Sequence, residues 1–111
     1  MKIVNLEDIP FTKVSHDSDI QKQVLLRAGE LGPITQFAQA VFPAGATVKS
    51  HTHADMGEVF LVQSGTGQIF IEGTDYPLEP GTCAMVNNNE AHEVQNTGNV
   101  DLVITYFGVK V

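Results

Sequence analysis

Hydrophobic and polar positions along the chain fall into short extended runs rather than helical stripes. The β-rich runs lie at 36–42, 58–63, 68–72, 82–86 and 100–107. Alternation within them is partial, as in Gln68-Ile69-Phe70-Ile71-Glu72, which suits strands packed on both faces. Turn signals end each run: Leu31-Gly32-Pro33, Pro43-Ala44-Gly45, Ser64-Gly65-Thr66-Gly67, Gly73-Thr74-Asp75, Pro80-Gly81 and Asn96-Thr97-Gly98-Asn99. Glycine supplies positive φ, proline fixes φ, and Asn or Asp bonds its own backbone, so such clusters interrupt strands. The one segment that reads as a helix is 18–27, and its second half, 22–27, fits a strand equally well. Many short strands at regular spacing predict an all-β sandwich or barrel. The segment before Leu31 is less regular and reads as an outer strand or an arm crossing to a partner subunit.

Composition narrows the class. With 111 residues the chain has room for one domain, and 42% hydrophobic against 17% charged residues is globular rather than disordered. Six Lys+Arg against thirteen Asp+Glu give a net charge of −7, which would repel phosphate backbones and anionic membranes. Nucleic acid and membrane partners are therefore not expected. Cys83 is the one cysteine, so neither an internal disulfide nor a CxxC zinc or redox motif is available. No apolar run approaches spanning length, and Glu7 and Asp8 interrupt the place of a signal peptide's apolar stretch. A soluble protein of a reducing, cytoplasmic compartment is expected.

The histidines carry the candidate chemistry. His51 and His53 are two residues apart, and on a strand such side chains share one face with Cα atoms roughly 6.5–7 Å apart. Both imidazoles can then converge on one ion. Glu58 follows after a short turning segment, and His92 supplies a third imidazole from a separate run. Three neutral nitrogens and one carboxylate suit a divalent first-row metal with positions left open for reaction. A lone histidine would more simply be an exposed strand-end residue, and His16, in Ser15-His16-Asp17-Ser18, is read that way.

The spacing resembles that of the cupin family. Gly45, His51, His53, Glu58 and Gly65 satisfy every position of the first cupin motif, G-x5-H-x-H-x(3,4)-E-x6-G. Gly81, His92 and Asn96 match the second, G-x5-P-x-G-x2-H-x3-N, with Asn87 and Asn89 in place of its proline and inner glycine. Asn tolerates left-handed φ but lacks the rigidity of proline. The resemblance implies a double-stranded β-helix, or jelly-roll, cupin barrel. It implies one domain over 1–111, with 1–30 as outer strands or arm and 31–111 as the conserved barrel. It further implies a homodimer, His51, His53, Glu58 and His92 as ligands to manganese, iron, nickel, copper or zinc, and Asn96 with the glycines as architecture.

Other side chains near the histidines have two readings each. Lys49 shares strand parity with His51 and His53, so a regular strand would aim it into the cavity, although lysines also snorkel to water. Phe60 shares a face with Glu58, and Cys83 and Met85 share a face on another run, so these three are candidates to line an apolar cavity. Core packing explains them as well. Nothing in the sequence around Cys83 marks it as an activated nucleophile. Glu90 and Glu93 read as surface acids, since Glu93 has opposite parity to His92. The expected function is a metal-dependent enzyme acting on a small organic molecule, of dioxygenase type or of isomerase/lyase type, with oxygenase chemistry slightly ahead. The alternative is a non-catalytic cupin that binds a sugar or effector.

Overall fold

The computed structural model describes residues 1–15 and 18–111, so the reading of His16 lies outside the described residues. Ten strands follow a short 3-10 turn at Leu6–Asp8. They are β1 (Thr12–Lys13), β2 (Gln21–Leu26), β3 (Ile34–Phe42), β4 (Thr47–His51), β5 (Met56–Ser64), β6 (Gly67–Ile71), β7 (Thr74–Leu78), β8 (Cys83–Val86), β9 (His92–Gln95) and β10 (Leu102–Lys110). Among the described residues there is no α-helix, and no helix is long and apolar enough to cross a membrane.

The strands form two antiparallel sheets. The larger runs β1-β2-β3-β10-β5-β8 and the smaller β4-β9-β6-β7. Sequence-distant strands become neighbours in both, as a jelly roll requires. The helical option at 18–27 gives way to β2, whose Gln21, Lys22, Gln23 and Val24 pair with Val41, Ala40, Gln39 and Ala38 of β3. Pairing with an existing sheet decides a segment whose own pattern allowed either state.

Alternation on the long strands defines the core. On β10, Leu102, Ile104 and Tyr106 are buried and their neighbours only partly so. They face Ala38, Ala40 and Phe42 of β3 and Val62 of β5. Ile69, Leu78 and Val94 close the core from the smaller sheet. Fully burying one such aliphatic side chain contributes about 1.5–3 kcal/mol, so these rows fix the register. Asn96 is buried and satisfied at every polar atom. Its Nδ2 donates to the carbonyls of Phe42 and Val100 at 2.9 and 2.8 Å, and its Oδ1 accepts from the Gly98 N–H at 2.9 Å. It ties the ends of β3, β9 and β10 together.

Candidate metal centre

The two sheets bring His51, His53, Glu58 and His92 to one end of the barrel interior. His51 and His92 are cross-strand partners on β4 and β9, with ring centroids 4.3 Å apart. His53 lies just beyond β4, its ring 4.8 Å from His51 and 5.5 Å from His92. Glu58 reaches in from β5 of the opposite sheet. Its Oε1 is 3.2 Å from His53 Nε2 and 3.1 Å from His92 Nε2. One potential donor atom from each residue lies within 4.8 Å of the others. Adjacent ligands about 2.1 Å from an ion stand about 3 Å apart, so a cluster with these spacings could hold one.

Backbone carbonyls orient two of the rings. His51 Nδ1 donates to the Lys49 carbonyl at 2.8 Å, and His92 Nδ1 donates to the Glu90 carbonyl at 2.9 Å. A carbonyl only accepts, so each Nδ1 carries the proton and each Nε2 is left for the ion. His92 Nε2 then confronts the Glu58 oxygen either as a cation or as a lone pair sharing a metal with it. Burial works against the charged ring, but the Glu58 carboxylate and the Glu90 carbonyl outweigh it, and the His92 pKa is raised above the ordinary imidazole value. The site chemistry thus calls for one positive charge between these groups.

The loop before β9 is built to hold His92. Asn89 adopts φ +66°, the left-handed conformation expected of an asparagine replacing glycine, and its N–H donates to the His53 carbonyl at 2.7 Å. The Glu90 carboxylate accepts from the Asn87 N–H at 2.6 Å. The Glu93 side chain points away from the cluster, as parity implies, and accepts from the Ser50 N–H at 3.1 Å. Glu90 and Glu93 are thus more than surface acids, for both brace the backbone that carries histidines.

Of the cavity candidates, only Phe60 faces the interior. A cavity of about 220 Å³ opens beside the cluster and is lined by Phe60, all four cluster residues and a largely apolar wall. Lys49 is exposed and outside it. The pairing of β4 with β9 slips by one residue between Val48 and His51, so both of these face inward and Lys49 is turned out. Cys83 and Met85 are also on the surface, Met85 with 65% of its area exposed. They pair with Leu61 and Val59 on β5, whereas Phe60 and Glu58 pair with Ala84 and Val86. Cys83 and Met85 therefore occupy the outer face.

Three polar cavity residues escaped the sequence reading: Lys22, Gln36 and Tyr106. Tyr106 was discoverable, because it alternates with Leu102 and Ile104 on an apolar face. Its ring stacks on Phe60 with centroids 5.9 Å apart. Burial, with the Glu58 charge adding to it, pushes its phenol up to about 12, so the hydroxyl keeps its proton. Lys22 and Gln36 gave no such signal, since their inward direction depends on the pairing of β2, β3 and β10.

The chain belongs to the cupin family: the cupin domain model matches residues 38–108. Over 66 residues it is 33% identical to a Thermotoga maritima protein named oxalate-binding protein, covering 60% of this chain and 54% of that one. The match thus spans about half the length of that curated relative. The fold superposes on a crystal structure of a predicted oxalate decarboxylase from Thermotoga maritima with a TM-score of 0.91, at 23% identity, covering 99% of this chain and 100% of the other. A sugar phosphate isomerase of the cupin superfamily from Silicibacter pomeroyi gives 0.83 at 18% identity, covering 99% and 76%. These two structural likenesses establish the jelly-roll fold.

Proposed function

We propose that this cupin binds one divalent transition metal through His51, His53, Glu58 and His92 and acts on a small organic molecule in the adjoining cavity. The observation that carries this reading is Glu58 Oε1 set 3.1–3.2 Å from two imidazole Nε2 atoms, with His92 held by the Glu90 carbonyl in the tautomer a metal needs. The ion would supply Lewis-acid charge at the reacting oxygens. Phe60, Ile104 and Val94 make much of the wall apolar, which strengthens electrostatic contacts beside it. Tyr106 lines the same cavity, and its phenol, which keeps its proton, is a hydrogen-bond donor for the bound molecule. Isomerase- or lyase-type chemistry is the reading put to the test, with dioxygenation as its rival.

The test is a screen of small organic molecules against the metal-loaded protein, following product formation and dissolved oxygen together. Product without oxygen uptake, lost in His51→Ala and reduced at least tenfold in Tyr106→Phe, is expected. Oxygen consumed in step with product would reassign the protein as a dioxygenase. The second reading, a non-catalytic binding cupin, is favoured by the similarity to the Thermotoga maritima oxalate-binding protein. Saturable binding of a molecule that is never converted would establish it.

We further propose a homodimer formed through the outer face of the larger sheet. Phe37 and Phe107 stack edge to face there, with Val59 and Met85 in adjacent register and Leu61 40% exposed. An apolar face of this kind on a soluble chain marks an interface. A reducing compartment such as the cytoplasm fits the single free Cys83.

A further inference from the structure

The cavity wall opposite the metal cluster carries a positive charge that nothing in the cluster explains. Lys22 is half-buried on β2 and is the one Lys or Arg among the residues lining the cavity. Among the described residues no carboxylate lies within 4 Å of its Nζ. Its one side-chain partner is Gln36, whose Oε1 accepts from Nζ at 3.2 Å. Because an ammonium only donates, the amide must present its oxygen to Lys22 and turn its Nε2 away. That Nε2 has no hydrogen-bond partner among the described residues, although Gln36 lines the same cavity.

Sheet register places this pair relative to the cluster. Gln36 pairs with Gly108 on β10, and Gly108 pairs with Glu58 on β5. Gln36 and Glu58 thus stand in one row across three strands, with Cα atoms about 9.5 Å apart at the usual strand spacing. The residue between them is a glycine, and the Thr35 hydroxyl and the Met56 sulfur fill the space a side chain there would take, so what joins Gln36 to the cluster is the cavity that Phe60 and Tyr106 also line. Tyr106 and Phe60 floor the next row down, and Lys22 reaches up from the row beyond, where it pairs with Ala40.

We infer that Lys22 and Gln36 form a carboxylate-binding subsite, and that the molecule this cupin acts on is a small organic acid lying in the shared cavity with its other end at the metal cluster. A carboxylate has two oxygens and one charge. The pair offers a donor from each side chain, Lys22 Nζ–H and Gln36 Nε2–H, and one charge. The fit is poorer for a phosphate dianion, which a single cation in an apolar wall leaves half neutralised. The cavity, at about 220 Å³, is smaller than the roughly 300–1,000 Å³ of sites for drug-sized ligands, and its remaining wall suits a short hydrocarbon body. This inference rests on the metal cluster as the reacting centre, but the subsite can be tested apart from it.

The test is calorimetric titration of the metal-loaded protein with oxalate, malonate, succinate, glutarate and butyrate, with succinamide as the uncharged control. At least one acid is expected to bind saturably, and succinamide at least tenfold more weakly than that acid. Lys22→Met should weaken the best-binding acid at least tenfold, Gln36→Leu about threefold, and Lys22→Arg less than either. Metal content and melting temperature should stay at wild-type values in all three variants, which separates this subsite from the cluster. Binding by Lys22→Met equal to wild type, succinamide binding as well as the acids, or no acid binding at all would overturn the inference. Lys22-dependent acid binding to a protein that takes up no metal would leave the subsite standing and overturn the metal reading instead.

Discussion

The Glu93 carboxylate accepts the Ser50 backbone N–H at 3.1 Å, at the point where the pairing of β4 with β9 slips by one residue. A bulge leaves backbone groups outside the regular ladder, and here a side chain from the neighbouring strand takes one of them up. The slip lets Val48 and His51 both face inward. Glu93→Ala should therefore destabilise the fold by about 1 kcal/mol, the worth of one exposed hydrogen bond. It should also weaken metal binding about tenfold, as loss of a group that orients a ligand does. Thermal melting and metal titration of the same variant check both. Unchanged affinity would mean that the bulge holds without Glu93.

The metal-free and metal-loaded proteins should respond to pH in opposite directions. In the metal-free protein the His92 pKa is raised, burial being outweighed by Glu58 and Glu90. Its contribution to stability is fully present below the unfolded value of about 6.5 and is lost as pH rises through the elevated folded value. A bound metal requires neutral imidazoles, so loading competes with protons and strengthens as pH rises. The gain in melting temperature on loading should grow from pH 5.5 to 8. At a hundredfold excess over Kd the ion adds about 2.7 kcal/mol. Melting curves with and without chelator that stay parallel across this range would contradict the site.

Two motif glycines should differ in what they tolerate. Gly45 and Gly65 both have φ +80°, but a Cβ at Gly45 meets nothing within 4 Å. At Gly65 it would run into the Asp101 carbonyl oxygen and lie 2.8 Å from the Leu102 Cα. Gly45→Ala should cost about 1–2 kcal/mol from left-handed backbone alone. Gly65→Ala should cost more, through displaced backbone where β5 meets β10. Denaturant unfolding compares them directly, and equal losses would refute the steric argument.

The outer face of the larger sheet gives a prediction about assembly. Leu61→Asp or Met85→Glu places a charge on the exposed row beside Phe107 and should convert a dimer into monomer without touching the metal cluster. Light scattering on a sizing column measures the mass. A wild-type monomer, or a variant that remains dimeric with the same affinity, would remove this face from consideration.

Much of the fold was legible because local chemistry and sheet geometry agreed. The glycine and proline clusters mark where β3, β5 and β6 end and where β8 and β10 begin, and the family motif carries Gly45, His51, His53, Glu58, Gly65 and His92. β7 was missed because Gly73-Thr74-Asp75 read as a turn and Pro77 interrupts the strand pattern. The strand is an edge of its sheet, where proline costs no ladder bond on the open side. The errors at Lys49, Cys83 and Met85 share a cause. Parity along one strand says which residues share a face, but the partner's register and any bulge decide which face is inside. Lys22 and Gln36 were invisible for the same reason.

The most direct test of the metal centre is equilibrium dialysis against manganese, iron, nickel, copper and zinc in turn, with elemental analysis of wild type and His92→Ala. The account predicts close to one ion per chain for at least one of these metals, bound at least tenfold more weakly by the variant. Background metal in the wild type, or the same occupancy and affinity in both proteins, would contradict it.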